Sequence, residues 1–236
     1  MTLGIASYLS LHAQKAKPQD ILAWAWETFA PAIAATSSFQ TQSVPLLHLI
    51  AQVCPEMPVV FIDTGFHFPE TLAFRNALVE RLGLNLEVVR PELGPEELTL
   101  TYGEDLYRHD PDLCCYLNKV QPLERALEGR CAWVSGVRHD QTRHRRHLHD
   151  LDPQISGVIK IHPLLHWTHE QVEAYREEHK LPAHPLHQLG YLSVGCAPCT
   201  QPVLRPQDKR SGRWRGEKEE CGIHLDPRSL KDLRAR

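Results

Sequence analysis

The chain has 236 residues, and its 26 Lys and Arg stand against 29 Asp and Glu, which gives a formal net charge of −3. This length fits one large domain with appended segments, and the slight acidity excludes the strongly basic class of nucleic-acid binders. No apolar run approaches the roughly 18 residues that a membrane helix needs, and residues 1–20 lack the regions of a signal peptide. We therefore expect a cytoplasmic protein that binds neither nucleic acid nor a membrane.

Apolar strands alternate with amphipathic helices along much of the chain. The elements predicted in chain order are a helix over 18–30, a strand over 31–36, a helix over 44–53, a strand over 58–62, a helix over 69–82, a strand over 84–90, a strand over 131–135 and a helix that begins at the Thr168 capping box and ends near 178. This alternation predicts an α/β fold with a parallel sheet flanked by helices.

Polar loops follow three of the predicted strands, at 36–43, 63–68 and 136–146. Ligands of such sheets bind beyond the carboxyl ends of the strands, so these loops are expected to form one crevice. The first loop, TSSFQTQS, is rich in hydroxyls but has no glycine, and it matches neither common phosphate-loop motif. After about residue 180 the periodicity fades, which predicts an irregular tail folded over the sheet and a mobile terminus.

Seven cysteines without a secretory signal argue against a disulfide scaffold. Four of them could hold one metal centre, because thiolates suit iron–sulfur clusters or zinc; these are Cys114, Cys115, Cys196 and Cys199. Neighbouring side chains of an extended chain point apart, so Cys114 and Cys115 can both reach one centre only from a turn or helix. A centre with several irons relaxes this requirement, because the two sulfurs can bind different irons. The alternative is two buried cysteines plus a redox dithiol. Cys54 and Cys131 are assigned to packing.

Cys221 lies near the carboxyl terminus in the segment EECGIH, residues 219–224. It is either an incidental exposed thiol or a nucleophile on a mobile arm. The two preceding glutamates would raise its pKa in a free chain, whereas docking beside arginines would have the opposite effect. Gly222 permits a sharp bend, and His224 could orient or activate the thiol.

Basic residues are concentrated in two runs beside the predicted crevice. The runs contain Arg138, Arg143, Arg145 and Arg146, and Arg205, Lys209, Arg210, Arg213 and Arg215. Such runs are usually solvated faces, but guanidinium groups also bind phosphate or sulfate oxygens in pairs. A small polyanionic substrate fits an acidic chain better than DNA does.

Together these segments resemble assimilatory adenylyl-sulfate (APS) reductases of the iron–sulfur-containing type, within the wider APS/PAPS reductase family. The resemblance covers nearly the whole chain from about residue 18, and it is carried by IDTGFHFPET (62–71), CCYLNK (114–119), SGVRHDQTRHRR (135–146), HPLLHWTHEQV (162–172), GCAPCT (195–200), RPQDKRSGRW (205–214) and ECGIH (220–224). Two departures are the glycine-free first loop and His139, which replaces the second of two adjacent arginines.

The resemblance implies an adenine-nucleotide alpha-hydrolase-like fold with a pyrophosphatase-type loop. It implies an N-terminal extension over 1–17, a nucleotide- and cluster-binding reductase domain over 18–200, and a basic segment with a mobile tail over 201–236. The four paired cysteines would ligate a 4Fe–4S cluster, Lys119 would lie between cluster and substrate, and Cys221 would be the nucleophile. The expected substrate-binding residues are Ser37, Ser38, Ile62, Lys119, Gly136, Arg138, Arg146, Arg205, Arg210 and Arg213.

The implied reaction is attack of the Cys221 thiolate on the sulfur of APS, which releases AMP and leaves a cysteine S-sulfonate. A thiol of thioredoxin, expected as a separate protein because no glutaredoxin-like domain follows residue 236, then releases sulfite. Alternatives are the same reaction on phosphorylated APS (PAPS), an ATP-dependent sulfur-transfer enzyme acting on tRNA, and a zinc-binding interaction module. The sequence leaves a homo-oligomer open.

Overall fold

The fold is a six-stranded sheet with helices around it, seen in a computed structural model that describes residues 16–154, 156–203, 210–216, 218 and 220–224. The strands are β1 (Ile33–Thr36), β2 (Val59–Ile62), β3 (Leu86–Val89), β4 (Ala132–Ser135), β5 (Leu151–Pro153) and β6 (Ile159–Ile161). The helices are α1 (Pro18–Phe29), α2 (Val44–Val53), α3 (Pro69–Leu82), α4 (Pro95–Tyr102), α5 (Leu106–His109), α6 (Pro111–Cys115), α7 (Gln121–Ala126) and α8 (His169–Glu178). A π-helical turn, Tyr116–Val120, joins α6 to α7.

The strands lie in the order β3-β2-β1-β4-β6-β5, and all neighbours are parallel except the β5–β6 pair. The central strand β1 pairs through Ala35 with Val59 of β2 and Val134 of β4. The chain leaves β1 toward β2 on one side and returns to β4 on the other. The loops after β1 and β4 therefore flank a switch point, where α/β sheets place their ligands.

The predicted elements are largely confirmed, because each carries a strong apolar pattern. Helix α3 has the predicted bounds and ends at Gly83, whose φ of 64° suits glycine. The Thr168 hydroxyl accepts a hydrogen bond from the Gln171 amide at the start of α8, as its capping box predicts. The short strands β5 and β6 and the small helices between Pro95 and Ala126 are not predicted from sequence, since three to eight residues are too few to establish a period.

The two cysteines assigned to packing behave differently. Cys54 is buried at the end of α2, and burial raises the pKa of its thiol to about 12. For Cys131 the assignment is wrong: the residue precedes β4 and its side chain is exposed. None of the described helices has the length and apolar character needed to cross a membrane.

Candidate active site

A cavity of about 180 Å³ opens at the carboxyl ends of the central strands. The three predicted polar loops meet there, since residues from 36–43, 63–68 and 136–146 all line it, and the cysteine-bearing turn and the 220–224 segment complete its wall. The predicted site residues that line it are Ser37, Ser38, Ile62, Lys119, Gly136, Cys196, Arg210, Arg213, Cys221 and His224.

The loop after β1 makes its turn without glycine. The Phe39 amide donates a hydrogen bond to the Ser37 hydroxyl over 3.0 Å, and Phe39 has a positive φ of 51°. The Phe39 ring is fully buried and meets Phe61 edge to face, with ring centroids 5.7 Å apart. Tertiary packing of an aromatic ring therefore stabilises a backbone conformation that glycine would otherwise favour.

The adjacent cysteines lie in a helix, as their pairing requires. The Asp110 carboxylate accepts a hydrogen bond from the Leu113 amide and so begins α6, which carries Cys114 and Cys115. Cys196 forms an isolated antiparallel β-bridge with His67, and its sulfur lies 3.4 Å from the Thr64 hydroxyl. The loop after β2 thus holds the second cysteine pair close to the end of the sheet.

The cysteines of the two pairs influence one another. Burial, and then the charge of Cys196, raise the pKa of Cys199, and the same two causes raise the pKa of Cys114 to about 12. Cys115 shares a hydrogen bond with the Cys221 thiol. Within the described ranges no three His, Cys, Asp or Glu side chains converge on the position of one metal ion.

This donor set nevertheless fits a thiolate-bound centre. Iron–sulfur clusters take four cysteine thiolates, each on its own iron, so the donors need not converge on one point. Lys119 follows one turn after Cys115, and although burial lowers its pKa, the charges of Cys196, Cys221 and Cys115 raise it overall. A stable ammonium group beside the thiols offsets the negative charge that such ligands bring.

Cys221 is half-buried and lines the cavity. The hydrogen bond from Cys115 has the largest effect and lowers the pKa of Cys221, and the Lys119 and Lys218 ammonium groups lower it further. The two cations would act even if a metal took Cys115 as a thiolate. A thiol whose anion is stabilised in this way is suited to nucleophilic attack.

Three arginine side chains line the cavity; they are Arg145, Arg210 and Arg213. Gly195 makes room for Arg213, because an added Cβ would overlap that guanidinium group. Arg213 stacks 4.5 Å from the centre of the Trp214 ring and is itself buried. Burial lowers the pKa of Arg210 to about 10, which leaves it charged at neutral pH.

Two of the arginines predicted from sequence, Arg138 and Arg146, do not line the cavity. Arg138 is buried, but Asp140 accepts hydrogen bonds from its Nε and Nη2 atoms at 3.0 and 3.2 Å, and Gln42 accepts from Nη1 at 2.8 Å. Arg146 is exposed and absent from the cavity wall, where its neighbour Arg145 lies instead. Arg205 lies outside the described residues.

Several lining residues are missing from the sequence prediction; they are Gln40, Gln42, His67, Gln141, Arg145, Trp214 and Glu220. Arg145 belongs to a predicted basic run, but no sequence period distinguishes it from Arg146. Glu220 appears in the sequence only as a charge that would hinder the neighbouring thiol. Its buried partner, Arg145, comes from a distant loop and pairs with this charge, while Cys115, Lys119 and Lys218 lower the pKa of the thiol.

Lys160 on β6 is a buried lysine below the 220–224 segment. Its Nζ lies 4.1 Å from the centre of the Trp133 ring and 3.3 Å from His224 Nδ1. Burial, followed by the charge of Arg145, lowers its pKa from 10.5 to about 7. Between these two values the unfolded chain binds more protons than the folded chain, so this residue makes stability rise with pH.

Replacing Lys160 with methionine is therefore expected to remove a pH-dependent contribution to folding. From pH 7 to 10.5 the free energy of unfolding of the wild type should rise relative to that of the variant, with a slope of at most about 1.4 kcal/mol per pH unit. Urea unfolding of both proteins at pH 7.5, 8.5 and 9.5 measures this difference. The cysteines titrate in both proteins, so their contribution drops out when the two free energies of unfolding are subtracted. Parallel stability curves would contradict it.

A family model described as the phosphoadenosine phosphosulfate reductase domain matches residues 32–202 of the chain. The chain belongs to this reductase family. Among relatives of the family, an adenosine 5'-phosphosulfate reductase of Geobacillus thermodenitrificans is 43% identical over 209 residues, which cover 87% of this chain and 89% of the relative. A phosphoadenosine 5'-phosphosulfate reductase of Gloeobacter violaceus is 43% identical over 88% of both chains.

A solved structure supports the same assignment. The phosphoadenylyl-sulfate reductase of Candida auris superposes with a TM-score of 0.71 at 31% identity, over 84% of this chain and 95% of that chain. The predicted fold class is confirmed by this reductase and by the observed sheet. The family model ends at residue 202, before the 220–224 segment.

Proposed function

We propose that this reductase converts adenosine 5'-phosphosulfate to sulfite and AMP through a covalent S-sulfonate on Cys221. The observation that carries the proposal is the Cys221 thiol in the lining of a cavity that Lys119, Arg210 and Arg213 also line. Relatives named as adenosine 5'-phosphosulfate reductases support the choice of substrate.

In the first step the Cys221 thiolate attacks the sulfur atom of the phosphosulfate. A sulfur–sulfur bond forms, the bond from sulfur to the bridging oxygen breaks, and AMP leaves with that electron pair. Repulsion between the thiolate and the anionic substrate is the main obstacle. Arg210, Arg213 and Lys119 reduce it, and they stabilise the negative charge that develops on the leaving phosphate.

In the second step a thiol of an external dithiol, for which we propose thioredoxin, attacks the Cys221 sulfur of the S-sulfonate. Sulfite leaves, the mixed disulfide is resolved by the second thiol, and Cys221 is restored. The two electrons that reduce the sulfur come from the dithiol, which becomes a disulfide. We place this reaction in the cytoplasm, and it involves neither nucleic acid nor a membrane. It is compatible with a homo-oligomer of the reductase.

Cys114, Cys115, Cys196 and Cys199 are the residues that would hold the proposed 4Fe–4S cluster. When bound, the cluster would supply a rigid link between the two cysteine pairs and a local electrostatic field. Lys119 would then lie between these ligands and the cavity, where its ammonium group can bind an anionic oxygen of the substrate. The proposed boundaries, an extension over 1–17, a reductase domain over 18–200 and a tail over 201–236, place every ligand in the middle segment.

The phosphorylated nucleotide remains the second candidate substrate, because relatives of the family carry that name. The buried Arg138 could bind an added phosphate, but Asp140 and Gln42 already occupy its guanidinium group. We expect kcat/KM for the unphosphorylated nucleotide to exceed that for the phosphorylated one by at least about tenfold, or about 1.4 kcal/mol of transition-state binding.

Sulfite release measured with each nucleotide and a dithiol reductant tests this preference. The control is Arg146→Ala, which removes an exposed charge outside the cavity. This variant should leave the ratio of the two kcat/KM values unchanged. Equal or inverted kcat/KM values would identify the phosphorylated nucleotide as a substrate. If ATP instead of either nucleotide protects Cys221 from alkylation, an ATP-dependent sulfur-transfer reaction would replace the proposal.

A further inference from the structure

Residues 220–224, here called the Cys221 arm, are fixed to the body of the protein by a buried ion pair. Arg145 donates from Nε to Glu220 Oε2 and from Nη2 to Glu220 Oε1, both at 2.6 Å. Both side chains are buried, with 6% and 3% of their surfaces exposed. Thr142 adds a hydrogen bond of 3.2 Å to the same carboxylate.

This ion pair is coupled directly to the position of the nucleophile. The amide of Cys221 donates a 3.1 Å hydrogen bond to Glu220 Oε1, the same oxygen that Arg145 Nη2 binds. Arg145 directs its remaining Nη1 to the Gln141 side chain. All three guanidinium nitrogens of Arg145 are thus used within the protein, so this arginine acts on the arm. Arg210 Nη2 lies 3.7 Å from Glu220 Oε1 and adds a longer ion pair to the same carboxylate. We assign Arg210 and Arg213 to the substrate.

The other end of the arm has weaker attachments. The His224 carbonyl lies 2.8 Å from the His144 Nε2 atom, and the His224 ring lies 3.3 Å from Lys160 Nζ. These partners come from the loop after β4 and from β6. The bidentate, charge-assisted contact of Glu220 is therefore the strongest of the hydrogen bonds that hold the arm.

The docked arm also restricts the cavity. Four of its five residues line the wall, and the cavity measures about 180 Å³ with the arm in place. Ligand sites usually measure roughly 300–1,000 Å³. A second cavity of about 510 Å³ shares Gln40, Gln42, Gln141 and Arg210 with this one, so space for a nucleotide continues beyond the arm. The Cys221 sulfur is half-buried in the docked arm, so an external thiol requires the arm to move outward.

We infer that Glu220 is a positioning residue, which through Arg145 sets the docked position of Cys221 and so favours sulfonation over attack by the external dithiol. This inference deepens the proposed function and rests on it. Docking brings the thiol to the substrate in the first step, and release of the Glu220–Arg145 pair exposes the S-sulfonate in the second. Weakening the pair should therefore slow one step without slowing the other.

Glu220→Gln tests the inference, because it keeps the size of the side chain and removes its charge. We expect iodoacetamide to alkylate Cys221 about tenfold faster in this variant without any nucleotide, since the docked state loses a buried charge pair. Peptide mass mapping gives the rate at Cys221, and the exposed Cys131 serves as the internal standard. Glu80→Gln, an exposed residue of α3, is the matched control. An unchanged alkylation rate would overturn the docking role.

Single-turnover kinetics then separate the two steps. Formation of the S-sulfonate, followed by mass spectrometry, should slow about tenfold in Glu220→Gln, whereas its resolution by dithiothreitol should be unchanged or faster. The double variant Arg145→Met/Glu220→Gln should alkylate at nearly the rate of Glu220→Gln alone, because both changes remove one interaction. Equal slowing of both steps, or additive effects, would contradict the inference. Absence of S-sulfonate in the wild type would instead refute the proposed function, while the alkylation result would still report on docking.

Discussion

Replacing Cys221 with serine is expected to abolish sulfite production, lowering turnover by about 10⁴-fold or more. The hydrogen bond from Cys115 and the Lys119 and Lys218 ammonium groups lower the pKa of the Cys221 thiol and so favour its thiolate, whereas a serine hydroxyl is a far weaker acid and a far weaker nucleophile. Any cluster should be retained, since serine at position 221 leaves the four paired cysteines intact. Sulfite release with adenosine 5'-phosphosulfate and a dithiol measures the loss.

Cys131→Ser is the matched control for this substitution. Cys131 is exposed and lies outside the cavity wall, so the same chemical change there should leave turnover unchanged. Mass spectrometry of the wild type after addition of the nucleotide should find SO₃ on the peptide that contains Cys221. Full activity of Cys221→Ser, or steady sulfite release with Cys221 unmodified throughout, would refute the covalent mechanism.

Replacing Cys199 with serine is expected to remove the proposed metal centre and to unfold part of the domain. Cys199 ends the turn that begins at Cys196, and this turn is attached to the loop after β2 by a backbone hydrogen bond from Ala197 to Phe66. Loss of a ligand therefore weakens both the centre and the link between the cysteine turn and the sheet, because metal binding contributes to folding. Iron and sulfide analysis after anaerobic purification measures the first effect.

Thermal unfolding followed by far-UV circular dichroism measures the second effect of Cys199→Ser. The midpoint should fall relative to the wild type, and Cys131→Ser should leave both the metal content and the midpoint unchanged. A brown Cys199→Ser protein with the iron and sulfide content of the wild type would exclude Cys199 as a ligand. A colourless wild type that contains zinc would favour the zinc-binding alternative over the proposed cluster.

The parts of the site that follow secondary-structure edges could be predicted from sequence. The apolar strands and their polar ends predict that three loops meet, and Ser37, Ile62 and Gly136 all line the cavity. The spacing of the cysteines likewise predicts two pairs, and the structure places the adjacent pair in a helix. These features are local, so the residues that determine them lie beside one another in the chain.

The rest of the site depends on contacts between distant segments. Arg145 and Arg146 are equivalent in a basic run, and only the short helical turn at 144–147 directs the first inward and the second outward. Glu220 and Arg145 are 75 residues apart, so nothing in the local sequence reveals that the glutamate is neutralised by an arginine. Cys131 shows an error of another kind. A cysteine beside an apolar strand is predicted to be buried, but the Cys131 side chain is exposed.

The position of Cys131 has a consequence for handling the protein in air. Cys131 comes just before β4, whereas the cavity lies beyond the end of that strand, so this exposed thiol and Cys221 are at opposite edges of the sheet. Aerobic storage that joins two copies through Cys131 would give a covalent pair whose catalytic faces both point outward. A disulfide-linked band on a non-reducing gel would then report oxidation of Cys131, with the Cys221 thiol still available.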